Sequence, residues 1–510
     1  MRVVLNGENL TIEQVQDVAR NYARVEIAQD VREKVNASHE LVLKLVERGE
    51  VLYGITTGIG EFAKVRIDRE QSCEMQKRII RSHAACTGNI IPEDHVRAIM
   101  LLRANVMAKG YSGARYSTLQ TIVDMINKNA IPVTYEKGSL GASGDLSSLA
   151  MLSLVVIGEG EAFYKGRRMP GKEAMDLAGI KIVDPTYKEA LALINGTQMF
   201  TGLGALLCKD AEGLIKNSQI ACGMTIDALK GMMKAFDPRL HALRPFPGQN
   251  AVAANIRRLT EESEIIADDS TDKVQDGYSL RCTGQILGPA LDTLKYVREQ
   301  VTIEMNSAAD NPLFIAADEE FLTGGNFHGQ SVAAAMDYLA IPMTTLCGFS
   351  ERHINRLLNS QLSGLPDFLV GAEGLNSGLM IVQYTAAALA SENKVYAHPA
   401  SVDSIPVSAD QEDYVSMGAG AALKLRQVMN NAASVIALHL MCAAQAVDFR
   451  SPLKPGKGTA AAYKEIRKQV EFLKDDRPLY PDIDTLTEMV RKNTIADAVE
   501  REIGSLEIVW

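Results

Sequence analysis

The sequence predicts a mainly α-helical protein, in which a bundle of long helices follows a smaller part of mixed secondary structure. Between residues 287 and 305, apolar side chains recur at three- and four-residue steps, the period of one face of an α-helix. Residues 432–447 are apolar nearly all round, as expected of a helix buried among other helices. Strand-like alternation is scarce, so we expect sheets to contribute little and to lie before about residue 200.

Local signals place the first elements. Residues 3–7 predict a short strand that ends in a turn at Asn6-Gly7. Thr11 and Gln14 have the spacing of a capping box, in which each side chain bonds the other residue's backbone N–H, so a helix is expected to begin there. Proline and glycine cluster at residues 245–248 and 451–456, and both clusters predict loops.

Composition indicates a globular chain of more than one domain. A length of 510 residues exceeds one ordinary core, and we expect an N-terminal domain at residues 1–200 and a long-helix domain at residues 201–510. A hydrophobic content of 46% with 23% charged residues is typical of soluble globular proteins. The net charge of −10, with no basic cluster, argues against a nucleic-acid partner.

The sequence gives no indication of export or of a membrane partner. The most apolar stretches, residues 149–158 and 432–447, are shorter than the roughly 20 residues of a membrane span. The first residues lack the apolar segment of a signal peptide. The seven cysteines are an odd number without CxxC spacing, which is typical of reduced thiols, so a cytoplasmic location is expected. The eight histidines have no HExxH spacing, and we predict neither a structural nor a catalytic metal ion.

Residues 138–150, GSLGASGDLSSLA, are the most informative segment. The Gly144 nitrogen, unhindered by a side chain, can attack the Ala142 carbonyl and close a ring. Loss of water from the ring and from Ser143 then leaves an exocyclic methylidene, which is a strong electrophile. Eliminating an amine requires such an electron sink, because ordinary side chains supply only nucleophiles, acids and bases.

The same segment also has simpler interpretations. Ser143 or Asp145 could cap a helix that begins near Leu146. The glycine-rich turn could instead hold a phosphate group at a helix N-terminus, although it lacks the Lys-Ser/Thr pair of a P-loop. The choice between these interpretations depends on the rest of the chain.

Further polar clusters interrupt the apolar helical background. They are Tyr53–Gly60, Arg81–Cys86, Asn195–Gln198, Gln275–Arg281, Gly325–His328 and Asp410–Met417. Together with GSLGASGDL, these segments resemble the ammonia-lyase and aminomutase family that uses a methylidene-imidazolone group formed from Ala-Ser-Gly. The resemblance extends over about residues 3–490. It implies that Ala142, Ser143 and Gly144 form the electrophile by themselves and that no external cofactor is needed.

The resemblance also implies catalytic roles. Tyr53 matches the base that removes the substrate β-proton; a free phenol has a pKa near 10, so positive charge or hydrogen bonds would have to stabilise the phenolate. Tyr278 matches a residue that assists the electrophile. Arg281 matches the residue that binds the substrate carboxylate, for which the guanidinium fork is suited. Asn195 and Gln275 match neutral donors around the electrophile and the carboxylate.

Three matched residues concern the substrate ring. Phe327 matches a wall of the pocket, and His83 falls where this family contacts the ring. Glu412 could pair with an imidazole N–H or take up a proton. Asn195–Gln198, Gln411–Asp413 and residues 389–394 and 397–404 most resemble members that convert L-histidine to trans-urocanate and ammonia, which is the activity implied here. Ser82-His83 occurs in both histidine-specific and some tyrosine-specific members.

Some residues depart from that pattern. Thr56, Ile59 and Glu61 stand where histidine-specific members usually have Asn, Phe and Lys, and they are similar to tyrosine 2,3-aminomutases. The other departures are Cys86, Gly277, Thr283, Gly284, Asp410 and Tyr414. A tyrosine ammonia-lyase or tyrosine 2,3-aminomutase is therefore the alternative. A catalytically silent helical scaffold also stays open, whereas a fumarase-type lyase would need a Met-Pro-x-Lys loop that this chain lacks.

The implied partners are a small amino-acid substrate and further copies of the chain. Family members are homotetramers whose active sites draw residues from several subunits, so the resemblance implies a homotetramer here. The long apolar helices in an acidic chain also favour a large oligomer interface.

Overall fold

The computed structural model describes residues 2–267 and 273–509, and these residues are mostly helical. The helices are α1 Ile12–Arg20, α2 Val31–Glu47, α3 Arg69–His83, α4 Glu93–Ala108, α5 Tyr116–Lys128, α6 Leu146–Val156, α7 Gly171–Leu177, α8 Glu189–Ile194, α9 Gln198–Ala228, α10 Pro238–Ala242, α11 Pro247–Leu259, α12 Glu264–Ala267, α13 Tyr278–Arg281, α14 Thr283–Met305, α15 Gln330–Leu358, α16 Ser360–Ser363, α17 Met380–Tyr396, α18 Gly418–Asp448, α19 Lys457–Arg467, α20 Tyr480–Arg491 and α21 Thr494–Ile503. Short 3₁₀ turns occupy Gly60–Lys64, Met233–Phe236 and Asp367–Leu369.

The strands are few and short. They are β1 Arg2–Leu5, β2 Arg24–Ile27, β3 Thr87–Ile90, β4 Ile131–Pro132, β5 Tyr135–Lys137, β6 Glu161–Tyr164, β7 Arg167–Pro170, β8 Leu313–Ile315 and β9 Glu320–Leu322. β1 and β2 pair in parallel, with Arg2 opposite Arg24 and Leu5 opposite Ile27. β4, β6 and β7 form an antiparallel sheet in that order, and β3–β5 and β8–β9 are antiparallel pairs. The predicted mainly α fold class is confirmed.

The local signals of the N-terminal region act as expected. β1 leads into a turn at Asn6-Gly7. The capping box at the start of α1 is complete, because the Gln14 N–H donates to Thr11 Oγ1 at 3.2 Å and the Thr11 N–H donates to Gln14 Oε1 at 3.0 Å. The two helices that apolar periodicity predicted are α14 and α18, and the second carries a nearly continuous set of buried side chains.

Two local expectations are wrong. The Pro245–Gly248 cluster is not a loop throughout, because α11 begins at Pro247, where a missing N–H costs nothing and a fixed φ favours the first helical turn. The β8–β9 hairpin lies well beyond residue 200, in the part expected to be only helical. Its strands have three residues each, too few for an alternating pattern to stand out.

One described helix, α15, is long and apolar enough to cross a membrane by length and composition, and 61% of its most apolar window is buried inside the protein. The apolar stretches singled out in the sequence do not include it. Core helices of globular proteins meet the same criteria, so the finding carries little weight.

Contacts divide the chain into two compact units. The first comprises Met1–Lys209, Val297–Asp337 and Pro399–Leu423, and it contains all the described strands. Part of its core joins α2 to β8 through Leu45, Leu52 and Phe314. The second unit comprises Asp210–Tyr296, Tyr338–His398 and Lys424–Trp510, and its described elements are helical. Each unit is thus assembled from three stretches, and a domain boundary at residue 200 stays a prediction.

Candidate active site

A cavity of about 580 Å³ in the first unit brings together several residues that the sequence singled out. Its polar lining includes Tyr53, His83, Ser143, Asn195 and Glu412. The apolar part of the lining consists of Ile59, Phe62, Met75, Ile79, Leu146 and Leu191. A hydroxyl, a phenol, an imidazole, an amide and a carboxylate therefore face one space large enough for an amino acid.

The loop that carries Ser143 lies between β5 and α6 in a conformation that demands glycine. Ser143 has φ +51° and Gly144 has φ +80°. The Gly196 N–H donates to Ser143 O at 3.1 Å, and the Asp145 N–H donates to Gly196 O at 2.7 Å. A Cβ on Gly144 would lie 2.1 Å from Gly196 O, so any larger residue would push these two loops apart. The nitrogen that cyclisation requires thus belongs to a residue without a side chain, directly after Ser143, which lines the cavity.

One interpretation of the sequence made Asp145 a cap of α6, but its side chain does not cap that helix. Its carboxylate accepts the N–H groups of Met199 at 2.9 Å and Phe200 at 3.1 Å, at the start of α9. The Ser139 hydroxyl donates a third bond at 2.9 Å. Complete burial nevertheless raises the pKa of Asp145 to about 7. The carboxylate thus holds the Ser143 loop against the positive end of another helix.

Tyr53 lies in the glycine-rich loop after α2, with its ring half-buried. The Gly60 N–H donates to the phenolic oxygen at 2.9 Å. Burial and the nearby Glu412 carboxylate raise the pKa of Tyr53, while the Gly60 N–H acts in the opposite direction. Because its pKa is raised, the phenol is neutral at neutral pH, and a nearby positive charge would favour the phenolate.

His83 and Glu412 both line the cavity and interact electrostatically. The His83 Nδ1 lies 2.8 Å from the Ile79 carbonyl oxygen, which can only accept, so Nδ1 carries the hydrogen and Nε2 of the neutral ring is an acceptor. Burial raises the pKa of Glu412, and His83 and a hydrogen bond with Ser143 oppose that shift. The pair can exchange hydrogen bonds or a proton with a substrate ring that bears N–H groups.

Asn195 ends α8 at the cavity wall, and a buried charge cluster holds its backbone. Arg103 Nη1 donates to Asn195 O at 2.5 Å, and the guanidinium lies 3.6 Å from the Asp310 carboxylate. Lys188 donates to the same carboxylate at 2.9 Å, and all three charged side chains are fully buried. Burial lowers the pKa of both Arg103 and Lys188, and the Asp310 carboxylate opposes that shift in each.

The sequence prediction missed this cluster. Its only local signal is a basic residue, Arg103, within the apolar run of α4.

Six predicted site residues do not line this cavity. Two of them, Ala142 and Gly144, flank Ser143, which does line it. Phe327 lies in the first unit, in the turn before α15. Gln275, Tyr278 and Arg281 belong to the second unit, where α13 carries the last two. The Arg281 guanidinium lies over the Tyr278 ring, 4.7 Å from its centroid, and 70% of Tyr278 is exposed.

The departures from the histidine-specific pattern fall into two groups. Thr56 does not face the cavity; its hydroxyl donates to Glu50 O at 3.0 Å and accepts the Leu52 N–H at 2.8 Å, so it serves the turn. Ile59 and Glu61 do line the cavity and therefore bear on the choice of ligand.

Comparison with known proteins decides the family. A sequence description of the aromatic amino acid lyase family matches residues 10–468. The chain belongs to the aromatic amino acid lyase family. This assignment confirms the predicted family and the carbon–nitrogen lyase class, and the family is the methylidene-imidazolone-dependent group of lyases and aminomutases.

Individual members of this family resemble the chain along its whole length. The histidine ammonia-lyase of Alkaliphilus oremlandii is 49% identical over 502 residues, covering 98% of this chain and 99% of that protein. The crystal structure of histidine ammonia-lyase from Trypanosoma cruzi matches with a TM-score of 0.92 at 36% identity, covering 99% of this chain and 96% of that one. The tyrosine aminomutase of Streptomyces globisporus matches with a TM-score of 0.95 at 36% identity, covering 99% and 100%.

Proposed function

We propose that this lyase eliminates ammonia from L-histidine to give trans-urocanate. The observation that carries the proposal is the shared cavity, in which His83 and Glu412 face the same space as Ser143 and Tyr53. The 49% identity to a histidine ammonia-lyase over nearly the whole chain supports the same substrate.

The chain would make its own electrophile. In the proposed cyclisation a bond forms from the Gly144 nitrogen to the Ala142 carbonyl carbon. The carbonyl oxygen then leaves as water with the hydrogens of the Gly144 and Ser143 N–H groups. The Ser143 hydroxyl and the Ser143 α-hydrogen then leave as a second water. The residues present fit this product, since Gly144 has no side chain beside its nitrogen and the buried Asn195 Oδ1 has no partner among the described residues. The group would turn the substrate amine into a good leaving group, and no external cofactor or catalytic metal ion is needed.

The surrounding side chains would act on the substrate itself. Tyr53 would remove the β-proton once a positive charge has lowered the pKa of its phenol. His83 Nε2 would accept from the imidazole N–H of the substrate, and Glu412 would bind the other side of the ring. Neutral Asn195 would line the path of the departing amine.

We also propose that the active form is a homotetramer in the cytoplasm. Gln275, Tyr278, Arg281 and Phe327 would complete the site, with a second copy of the chain supplying some of them. Arg281 would bind the substrate carboxylate through its guanidinium fork, and Tyr278 would assist the electrophile. Residues 1–200 would carry the electrophile, and residues 201–510 would form the helical domain of the assembly.

A tyrosine ammonia-lyase or tyrosine 2,3-aminomutase is the second candidate. Ile59 and Glu61, which differ from the histidine-specific pattern, line the cavity, and one structural relative is a tyrosine aminomutase. In that reaction His83 would meet a phenol instead of an imidazole.

Product analysis distinguishes the candidates. Purified protein would be incubated separately with L-histidine and L-tyrosine, with Ser143→Ala as the control that cannot form the electrophile. Urocanate from L-histidine alone supports the proposal, whereas coumarate or β-tyrosine supports the alternative. Intact mass tests the electrophile separately: wild type should be lighter than its sequence mass by about 36 Da, the mass of two waters, and Ser143→Ala should not. An unshifted wild-type mass with no product would favour the silent scaffold.

A further inference from the structure

A second cluster of reactive side chains lies inside the helical unit, apart from the proposed catalytic cavity. Cys222 on α9, His353 on α15 and His439 on α18 each offer one sulfur or nitrogen atom, and these three atoms lie within 4.8 Å of one another. All three side chains are fully buried. Because each residue comes from a different helix, the cluster has none of the sequence spacings by which a metal site is recognised.

The hydrogen bond of His353 determines which of its two ring nitrogens carries no hydrogen. Its Nε2 contacts the backbone oxygen of Ser279, and a carbonyl oxygen can only accept, so Nε2 carries the hydrogen. Nδ1 of the neutral ring therefore carries no hydrogen and has a free lone pair. It is buried and has no hydrogen-bond partner in the described part of the chain.

His439 reaches the same state through a different partner. The Thr225 hydroxyl donates its one hydrogen to Ala221 O at 3.0 Å, so it must accept from His439 Nε2, which lies 2.8 Å away. Nδ1 of His439 consequently carries no hydrogen and is a second nitrogen with a free lone pair. It too is buried without a partner among residues 2–267 and 273–509.

The Cys222 thiol cannot satisfy both nitrogens. The Cys222 thiol has only one hydrogen to donate, and two acceptors compete for it. Each buried acceptor left unpaired destabilises the folded chain. A single cation among the three atoms would satisfy both nitrogens and the sulfur.

We propose that Cys222, His353 and His439 bind one thiophilic d¹⁰ metal ion, Zn²⁺ or Cu⁺. Thiolate and neutral imidazole are the ligands that these two ions share. The outer hydrogen bonds also fit, because metal-bound histidines usually donate their second N–H to a carbonyl or another oxygen, as His353 does to Ser279 and His439 to Thr225. The thiolate with Cu⁺ would be neutral, whereas Zn²⁺ would leave one positive charge in buried surroundings.

The ion would have a structural role. It would join α9, α15 and α18 of the helical unit. Through the bond from His353 to Ser279 it would also support α13, which carries Tyr278 and Arg281. Complete burial of the ligands means that the ion would be acquired as the chain folds.

Metal content of the full-length protein tests the site directly. The wild type would be expressed in media supplemented with zinc, copper or cobalt, and metal per chain would be measured by mass spectrometry after removal of loose ions. Cys222→Ser removes the thiolate. Cys442→Ser is the matched control, because Cys442 is equally buried and lies on α18 outside the cluster. We expect one ion per chain in wild type and Cys442→Ser, and a loss of at least tenfold in Cys222→Ser.

The cobalt-loaded protein gives a second measurement that does not depend on the variants. A thiolate bound to Co²⁺ produces an intense ligand-to-metal absorption band, which we expect in wild type and Cys442→Ser. Retention of zinc but not copper, or the reverse, identifies the ion. Wild type without bound metal in every medium, or without this band when it carries cobalt, would overturn the proposal, as would equal metal loss in both variants. None of these readouts uses turnover, so they are independent of the proposed lyase reaction.

Discussion

Tyr53→Phe is the sharpest test of the proposed chemistry, because it removes one oxygen atom and leaves the ring in place. If Tyr53 is the base, losing a positioned acid–base group lowers kcat by about 10²- to 10⁴-fold, roughly 3–5 kcal/mol of transition-state stabilisation. The structural cost is smaller. The Gly60 N–H loses the acceptor that lies 2.9 Å away, which costs about 1–3 kcal/mol of unfolding free energy.

The assay compares turnover of L-histidine with thermal unfolding of the same preparations. Tyr164→Phe is the matched control, since that hydroxyl makes only a long contact of 3.5 Å to Leu177 O. We expect the control to keep wild-type activity and stability. A Tyr53→Phe variant that unfolds at a lower temperature but keeps kcat within roughly threefold of wild type would refute the assignment of the base.

Three further predictions follow from the same region. Gly144→Ala should abolish the loss of about 36 Da on cyclisation, because its Cβ would lie 2.1 Å from Gly196 O. Gly166→Ala is the control: Gly166 also has a positive φ, +75°, but open space around it, so this variant should keep the mass loss. An equal effect of both substitutions would count against the steric argument. Glu412→Gln should lower turnover of L-histidine by about 10- to 150-fold, which corresponds to the free energy of one hydrogen bond to a charged group. Unchanged turnover in steady-state assays would contradict the proposed recognition of the ring by Glu412. Asp145 has its pKa raised from 3.8 to about 7 in the folded chain, so the folded state favours the neutral acid. Wild-type stability should therefore fall relative to Asp145→Asn by about 3 kcal/mol as pH rises from 4 to 7. Denaturant unfolding of both proteins across that range checks the slope, which a pH-independent difference would contradict.

Signals that act within a few residues were sufficient to predict part of the fold. The Thr11–Gln14 capping box and the apolar periods of α14 and α18 depend on neighbours along the chain, and the structure contains all three. The β8–β9 hairpin was missed because three-residue strands are stabilised by their mutual pairing and by the packing of Phe314 in the core, which no local pattern reveals.

The candidate site divides in the same way. Ala142-Ser143-Gly144 could be recognised because its chemistry resides in three consecutive residues. Asp145 was interpreted as a cap for α6, yet its carboxylate bonds α9, whose first N–H groups lie more than fifty residues further along the chain. Gln275 and Arg281 do not line the cavity that contains Ser143, and the proposed homotetramer is what would bring them to it.

The sequence by itself determined the family, the mainly helical class and the tripeptide that can become an electrophile, because each is written in contiguous residues. Only the tertiary structure decided that Arg103 and Lys188 share the buried Asp310 beneath Asn195, and that Cys222 lies beside His353 and His439. Those groupings bring together side chains from separate helices. Their energetics depend on burial and on distances of a few ångströms, which the order of residues along a chain does not specify.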